Sequence, residues 1–296
     1  MAITITDRGT GLVAGGVSAT NTATVTGFTP ASGAFIAVAV QGAFADGGAA
    51  ATTYSIADTF GDSGGTSWTQ VTIADPGLSG TVGTYSARAS IFYRNIGTGA
   101  GSGAPTVTRT AGNIDQRLWI NAVELSGVGA ANLTATKVNG TAAGSGVSNT
   151  LTITFSSAPA STSLIYTNAI QDGATANALT PPAGYTSVQQ AADAWGQDSE
   201  TAYRNTGAST SHVWSSSTDP NGMLGVAIEF TDALAGTGSV TLGDVTSSGS
   251  GTGPTAPNAV SDLAGTAGDT QVVLTWSAPA SNNSAITDYI VQYRRA

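Results

Sequence analysis

The sequence contains the same series of four segments twice, in the same order. The matching pairs are 29–43 with 158–174, 67–75 with 184–193, 90–100 with 200–210, and 119–127 with 224–232. Tyr-Arg-Asn occurs in both members of the third pair, and a glutamate between apolar residues occurs in both members of the fourth. Such a series indicates one structural unit present twice, at about 20–128 and about 150–232. Independent strands of similar composition are the alternative explanation.

The repeated segments have the pattern of β-strands. Apolar and polar residues alternate over 85–94, which predicts an antiparallel strand with one buried face. The continuous apolar run at 35–40 predicts a central strand buried on both faces. Proline and glycine cluster between these runs, where turns are expected. We predict an all-β chain whose two halves face each other as the two sheets of one jelly-roll-like antiparallel β-sandwich over 1–232.

Composition and charge argue against several classes of protein. Charged residues make up 9% of the chain, well below the usual quarter or so. The net charge is −9 and the few cations are scattered, so we expect no binding to nucleic acid. The apolar runs are too short for a membrane helix, and the first residues lack the pattern of a signal peptide. With no cysteine present, disulfides and cysteine-bound metals are excluded.

The C-terminal part of the chain has a different organisation. The segment 233–253 is rich in Gly, Ser and Thr and is predicted to be a linker. The segment 254–296 has a proline-rich start, an alternating strand that contains Trp276, and a strand that ends at Tyr293. It resembles the first strands of a fibronectin type III domain, in which Trp276 and Tyr293 would occupy core positions. Because such a sandwich needs about seven strands, we expect an incomplete domain that a continuation of the chain or another chain completes.

Short motifs of the large domain carry a second resemblance. They are G-x-F-I-A-V-A-V, D-x-x-G-x-x-x-x-x-W-T at 58–69, I-F-Y-R-N, and W-x-N-A-V-E-L-S-G-V ending at Val128. Together they resemble a β-sandwich module of bacteriophage virion proteins and of some bacterial surface proteins. A fibronectin-like segment without a secretion signal favours the phage, because virions leave the host by lysis.

The resemblance implies a non-enzymatic structural protein on the outside of a phage particle, either a head decoration or head fibre or part of a tail appendage. Its partners would be other virion proteins and further copies of itself. The fibronectin-like domain would project outward for weak, multivalent attachment to host or environmental glycans. A bacterial cell-surface or secreted carbohydrate-binding module is the first alternative, and an extracellular glycoside hydrolase is the second.

Two glutamates and one histidine are the residues to consider for catalysis. Glu124 and Glu229 hold equivalent positions in the repeats and would form the carboxylate pair of a glycoside hydrolase. Each stands alone in an apolar strand, so we expect structural carboxylates that bond across the strands, with Arg94 and Arg204 as partners. His212 is the single histidine and lies in an apparent strand without a nucleophile motif, so we expect a structural role.

The loop D-T-F-G-D-S-G-G is rich in oxygen ligands. Asp58 and Asp62 in this loop are candidates for binding Ca²⁺. Turn formation explains the same residues without a metal. We expect no other cofactor.

Aromatic residues near predicted loops are candidates for stacking on sugar rings. The candidates for contact with glycans are Tyr54, Trp68, Tyr185 and Trp195. Trp68 and Tyr185 are equivalent in the repeats, which favours a shared packing role for these two. The segment 186–195 is predicted to be a strand by its repeat partner, with a helix as the second interpretation.

Overall fold

The chain folds almost entirely into antiparallel strands. A computed structural model describes residues 2–13, 20–45, 53–74, 85–110, 116–139, 149–172, 179–192, 198–205, 209–217, 222–233, 258–279 and 289. These residues form β-strands joined by turns and contain no helix, so none of them belongs to a helix that could cross a membrane. The all-β prediction is confirmed. The chain divides into a larger unit, Met1–Ser239, and a smaller unit, Val240–Ala296.

The larger unit contains two successive sets of eight strands. The first set is β1 Thr4–Val13, β2 Thr20–Thr24, β3 Phe35–Ala45, β4 Thr53–Ala57, β5 Thr69–Ala74, β6 Tyr85–Asn95, β7 Thr106–Thr110 and β8 Gln116–Ser126. The second set is β9 Val128–Asn139, β10 Thr150–Thr154, β11 Leu164–Asp172, β12 Leu179–Thr180, β13 Thr186–Ala192, β14 Asp198–Asn205, β15 Ser211–Ser216 and β16 Gly222–Asp232. Because 186–192 form strand β13, the second interpretation of this segment as a helix is wrong for these residues, while 193–195 lie outside the described residues.

Each set forms one five-stranded and one three-stranded sheet. The first half has the orders β1-β8-β3-β6-β5 and β2-β7-β4. The second half has β9-β16-β11-β14-β13 and β10-β15-β12. Raising every strand number of the first half by eight gives the second half, so the two halves share one topology. The four matched pairs of sequence segments lie on β3 and β11, β5 and β13, β6 and β14, and β8 and β16.

Three apolar clusters show how the sheets stack. One cluster lies between the two sheets of the first half and includes Ile36 and Val38. A second lies between the two sheets of the second half and includes Trp214. The third joins the two five-stranded sheets and includes Trp119 and Tyr166. The sheets therefore stack in four layers, with the five-stranded sheets inside and the three-stranded sheets outside.

This stacking corrects two expectations. The halves do not form the two sheets of a single sandwich, because each half is itself a sandwich and the two also pack on each other. Strand β6 is buried on both faces, not on one. Ala89 and Ile91 face the other half, while Phe92 and Arg94 are buried on the opposite face. The prediction that 35–40 is a central strand buried on both faces is confirmed, because 36–40 are fully buried.

Polar side chains bond across the interface between the halves. The Tyr166 hydroxyl donates to Asn121 Oδ1 at 3.0 Å. Gln41 Nε2 donates to Thr201 Oγ1, also at 3.0 Å. Both bonds are buried, so they are stronger than in water and fix the position of one sheet on the other. The chain passes between the halves through Gly127 alone, whose φ of 80° favours glycine.

The smaller unit is described at 258–279 and 289. Its strands β17 Ala264–Gly268 and β18 Gln271–Thr275 form an antiparallel hairpin. The Trp276 ring packs edge-to-face on Tyr289 with centroids 5.4 Å apart, while 36% of Trp276 stays exposed. Trp276 is thus less buried than the core position expected for it. Tyr293 and the predicted linker 233–253, apart from residue 233, lie outside the described residues.

Candidate functional site

The two Tyr-Arg-Asn motifs place their arginines at the same point of the two halves. Arg94 on β6 pairs with Ile36, and Arg204 on β14 pairs with Ile165. Ile36 and Ile165 belong to the clusters between the two sheets of their own halves. Because directly paired residues share a face, both arginines lie on the face that packs on the three-stranded sheet. Their surroundings nevertheless differ.

Arg94 is enclosed by a cluster of acidic and aromatic side chains. Its Nη2 donates to Asp62 Oδ1 at 2.5 Å and to Asp58 Oδ1 at 3.0 Å, and its Nε lies 3.0 Å from Asp58 Oδ2. The guanidinium also lies over the rings of Trp68 and Phe60, 5.6 and 5.8 Å from their centroids. The three charged side chains are almost fully buried. We call these five residues the Arg94 cluster.

The Arg94 cluster corrects the calcium hypothesis. Both carboxylates, of Asp58 and Asp62, already bind the guanidinium, and Asp62 also accepts bonds from the amides of Gly64 and Gly97. Burial alone would raise the pKa of Asp62, but the Arg94 bond and these amides outweigh it and hold the pKa below its usual value. The described residues contain no group of three or more His, Cys, Asp or Glu side chains that could hold a metal. The cation at this place is therefore Arg94.

At the equivalent place, the second half has a half-open pocket of about 260 Å³. The loop that carries Asp58 and Asp62 runs over 58–68 between β4 and β5, whereas only 181–185 joins β12 to β13. The shorter connection leaves space above Arg204. The residues that line this space include Pro182, Tyr185, Arg204, Ser209, Ser211 and His212. We call it the Arg204 pocket.

Tyr185 is held in the Arg204 pocket by His212. The Tyr185 hydroxyl and His212 Nδ1 lie 2.7 Å apart, and the two rings meet edge-to-face at 5.6 Å. Phe155 also packs edge-to-face on the imidazole, with the ring centroids 5.2 Å apart. Burial, and then the charge of Arg204, lower the pKa of His212 to about 4, so the ring is neutral at pH 7. His212 is thus the hydrogen-bond partner of the Tyr185 hydroxyl.

The two equivalent glutamates anchor turns. Glu124 Oε1 accepts the amide of Ala31 at 3.0 Å, and its Oε2 pairs with Arg8 at 2.5 Å. Glu229 Oε1 accepts the equivalent amide, that of Ala160, at 2.8 Å. Each carboxylate therefore fixes the turn that precedes the central strand of its half.

The prediction that Arg94 and Arg204 bond to these glutamates is wrong. Ile36 on β3 pairs with Glu124 on one side and with Arg94 on the other, so these two residues lie two strands apart. Ile165 separates Glu229 from Arg204 in the same way. Strand order, which the local sequence does not encode, determines this separation.

The four aromatic candidates for contact with glycans have different environments. Tyr54 is buried in the core of the first half, at 6% exposure. Trp68 belongs to the Arg94 cluster, where its Nε1 donates to Asp58 Oδ2 at 2.9 Å. Tyr185 lines the Arg204 pocket, while Trp195 lies outside the described residues. Of the three that are described, Tyr185 is the one at a pocket.

Glu200 is a buried acid that our sequence analysis did not single out. It lies on β14 and is 3% exposed. Burial, and then the charge of Asp198, raise its pKa to about 7, against a bond from Ser187 that lowers it. Its neighbours in sequence gave no signal, because its burial results from tertiary packing: Glu200 pairs with Ala169, which lies in the cluster between the two sheets of the second half.

Replacing Glu200 by Gln should change how stability depends on pH. The folded protein holds the Glu200 proton up to a pKa of about 7, above the ordinary value of 4.5. The free energy of unfolding therefore decreases as pH rises through this range. We expect Glu200→Gln to be more stable than wild type by about 2 kcal/mol at pH 8, with a smaller difference at pH 4.5. Urea denaturation at several pH values measures this, and a difference independent of pH would contradict it.

Comparison of the chain with protein-family models, curated proteins and solved structures finds no match.

Proposed function

We propose that this chain is a non-enzymatic structural protein on the exterior of a bacteriophage particle, as a head decoration, head fibre or tail appendage. The observation that carries the proposal is the strand pairing within each half. The first strand pairs with the eighth, the second with the seventh, and the third with the sixth. This pairing supports a jelly-roll-like arrangement, in which a long hairpin is rolled into two sheets as in the jelly rolls of viral capsids and lectins.

One strand departs from the strict jelly-roll order. Strand β5 pairs with β6 in the five-stranded sheet, whereas the full pattern would pair it with β4. The same departure occurs at β13 in the second half. We infer two copies of one jelly-roll-like unit, in which the fifth strand extends the inner sheet.

The packing of the two units suits a structural role. The inner sheets bury a continuous apolar layer that contains residues of both halves, which makes 1–239 one compact unit. Such an interface resembles the core of a domain more than the transient contact between mobile domains. Because only 9% of the residues are charged, we expect the interactions of the surface to depend little on salt concentration.

Attachment to glycans is the second part of the proposal. The smaller unit would act as a fibronectin type III-like module for weak contacts with host or environmental polysaccharide. Many copies on one particle would raise the overall avidity well above the affinity of a single contact. The chain would then be located on the virion surface and reach the outside by lysis of the host.

A bacterial carbohydrate-binding module is the second candidate function. The Arg204 pocket favours it, because the pocket combines a fixed aromatic ring with hydroxyls and a cation. The glycoside hydrolase has less support, since the carboxylates of Glu124 and Glu229 hold the turns before β3 and β11.

Electron microscopy and mass spectrometry of the native material that contains this chain test the proposal. We expect many copies arrayed on a phage head or tail, together with other virion proteins. A free protein, or one attached to a bacterial cell wall, would contradict the virion location and support the carbohydrate-binding module.

A further inference from the structure

We propose that the Arg204 pocket binds the carboxylate of an acidic sugar residue, such as a uronic acid. This inference places a sugar site in the larger unit, in addition to the attachment proposed for the smaller unit, and it depends on the proposed glycan function only for the sugar. Recognition of the carboxylate follows from a comparison of Arg204 with Arg94.

The first half shows how an arginine at this shared position can be used. Arg94 binds two carboxylates, and these come from the loop at 58–68. The equivalent connection in the second half is Pro-Pro-Ala-Gly-Tyr, which has no acidic residue. A carboxylate supplied by a ligand would take the place that Asp62 holds in the first half. Guanidinium and carboxylate groups match in shape and charge, which makes this pair strong and directional.

The Arg204 guanidinium is available to such a ligand. No atom of the described residues accepts a hydrogen bond from it. Its Cζ and Nε lie against Gly184, where an added Cβ would be 3.7 Å from both atoms. Gly184 has a φ of 80°, so a larger residue is disfavoured there. Arg204 is half-buried and has no hydrogen-bond acceptor within the described part of the chain, and removing a cation from water is unfavourable unless it is paired. A bound anion would relieve that cost.

The remainder of the lining suits a sugar ring. Tyr185 offers a ring whose orientation is set by the bond to His212. Ser209 and Ser211 line the same pocket and have hydroxyls that can exchange hydrogen bonds with a sugar. An apolar surface with a few placed polar groups is the usual composition of a small-molecule site. A volume of about 260 Å³ lies just below the roughly 300 Å³ at which sites for drug-sized ligands begin. One sugar residue fits this size better than a longer chain.

Titration calorimetry on the full chain tests the inference with four probes: glucuronate, glucose, acetate and inorganic phosphate. We expect glucuronate to bind at least about 10-fold more tightly than the other three, because it alone combines the carboxylate with the ring. Binding of glucose as tight as that of glucuronate would overturn the role of Arg204. Binding of acetate or phosphate as tight as that of glucuronate would overturn the sugar.

Variants separate the pocket from general electrostatics. Arg204→Met should reduce glucuronate affinity about 10-fold or more. Lys137→Met is the matched control, because Lys137 is an exposed cation on β9 outside the lining of the pocket, and it should leave the affinity unchanged. Tyr185→Ala should weaken the binding of glucuronate and leave the weak binding of acetate unaltered. An equal loss of glucuronate affinity in Arg204→Met and Lys137→Met would contradict the assignment of the binding site to the Arg204 pocket.

The two proposals fail separately. Absence of glucuronate binding by a chain that is found on virions would overturn only the assignment of the pocket. Binding by a chain that is found free or on a cell wall would overturn only the virion location. Thermal unfolding of each variant shows whether it is folded, and Arg204→Met should fold because the Arg204 guanidinium donates no hydrogen bond to a described residue.

Discussion

Asp62→Ala is expected to lower the free energy of unfolding by about 3–5 kcal/mol, the largest effect of any single substitution proposed here. The side chains of Asp62 and Arg94 are each almost fully buried, and Asp62 Oδ1 lies 2.5 Å from Arg94 Nη2. Truncating Asp62 leaves a buried guanidinium with one carboxylate in place of two. It also leaves the amides of Gly64 and Gly97 without their acceptor, which adds a smaller cost, because Gly64 is exposed and Gly97 is half-buried and water can replace the carboxylate.

Chemical denaturation of the single and double variants measures this coupling. We expect the double variant Asp62→Ala with Arg94→Met to be less destabilised than the sum of the single variants, because removing both charges leaves none unpaired. A coupling of about 2 kcal/mol is the expected size. Additive losses, or a loss below about 1 kcal/mol for Asp62→Ala, would show that the pair behaves as a solvated surface ion pair.

Glu229→Ala is expected to cost about 3 kcal/mol, and Glu124→Ala only about half as much. Glu229 is fully buried and accepts bonds from Asn132, Ala160 and Ser163 at 2.5–2.8 Å. Its removal leaves the buried hydroxyl of Ser163 without an acceptor, together with the Asn132 side-chain amide and the backbone amide of Ala160. Glu124 instead pairs with Arg8, whose side chain is 29% exposed and can turn to water once its partner is lost.

The two glutamates form a matched pair, because they occupy the same position in the two halves. Urea denaturation of both alanine variants gives the comparison directly. Equal losses would show that the turn amide, which both share, accounts for the whole effect. A gain in stability on removal of Glu229 would indicate that the buried carboxylate is strained, and would revive the hypothesis that it serves catalysis.

The sequence predicted the strands well because strand patterning is local. The apolar run at 35–40 is long enough to identify a central strand, and the structure confirms that this strand is buried on both faces. The alternating segment at 85–94 predicted a half-buried strand, and here the local pattern was misleading. Ser90 and Arg94 are polar, yet both are buried, because an outer sheet and the loop at 58–68 cover the face that alternation assigned to water.

The site was predictable only in part. The duplicated Tyr-Arg-Asn marked Arg94 and Arg204 as equivalent, and the aromatic positions led to Tyr185. Neither observation shows that Arg94 is paired with two carboxylates whereas Arg204 lines a pocket. That difference depends on the length of a distant loop and on how it folds back over β6.

Local periodicity, turn residues and the repeated segments determined the all-β class, the positions of the strands and the equivalence of the two halves. They suffice because each depends on residues close together in the chain. Only the tertiary structure decided that each half is a sandwich of its own, that Glu124 pairs with Arg8, and that space remains above Arg204. These features bring together residues far apart in sequence, such as Glu124 and Arg8. Strand order and loop length, which no local pattern encodes, determine their contacts.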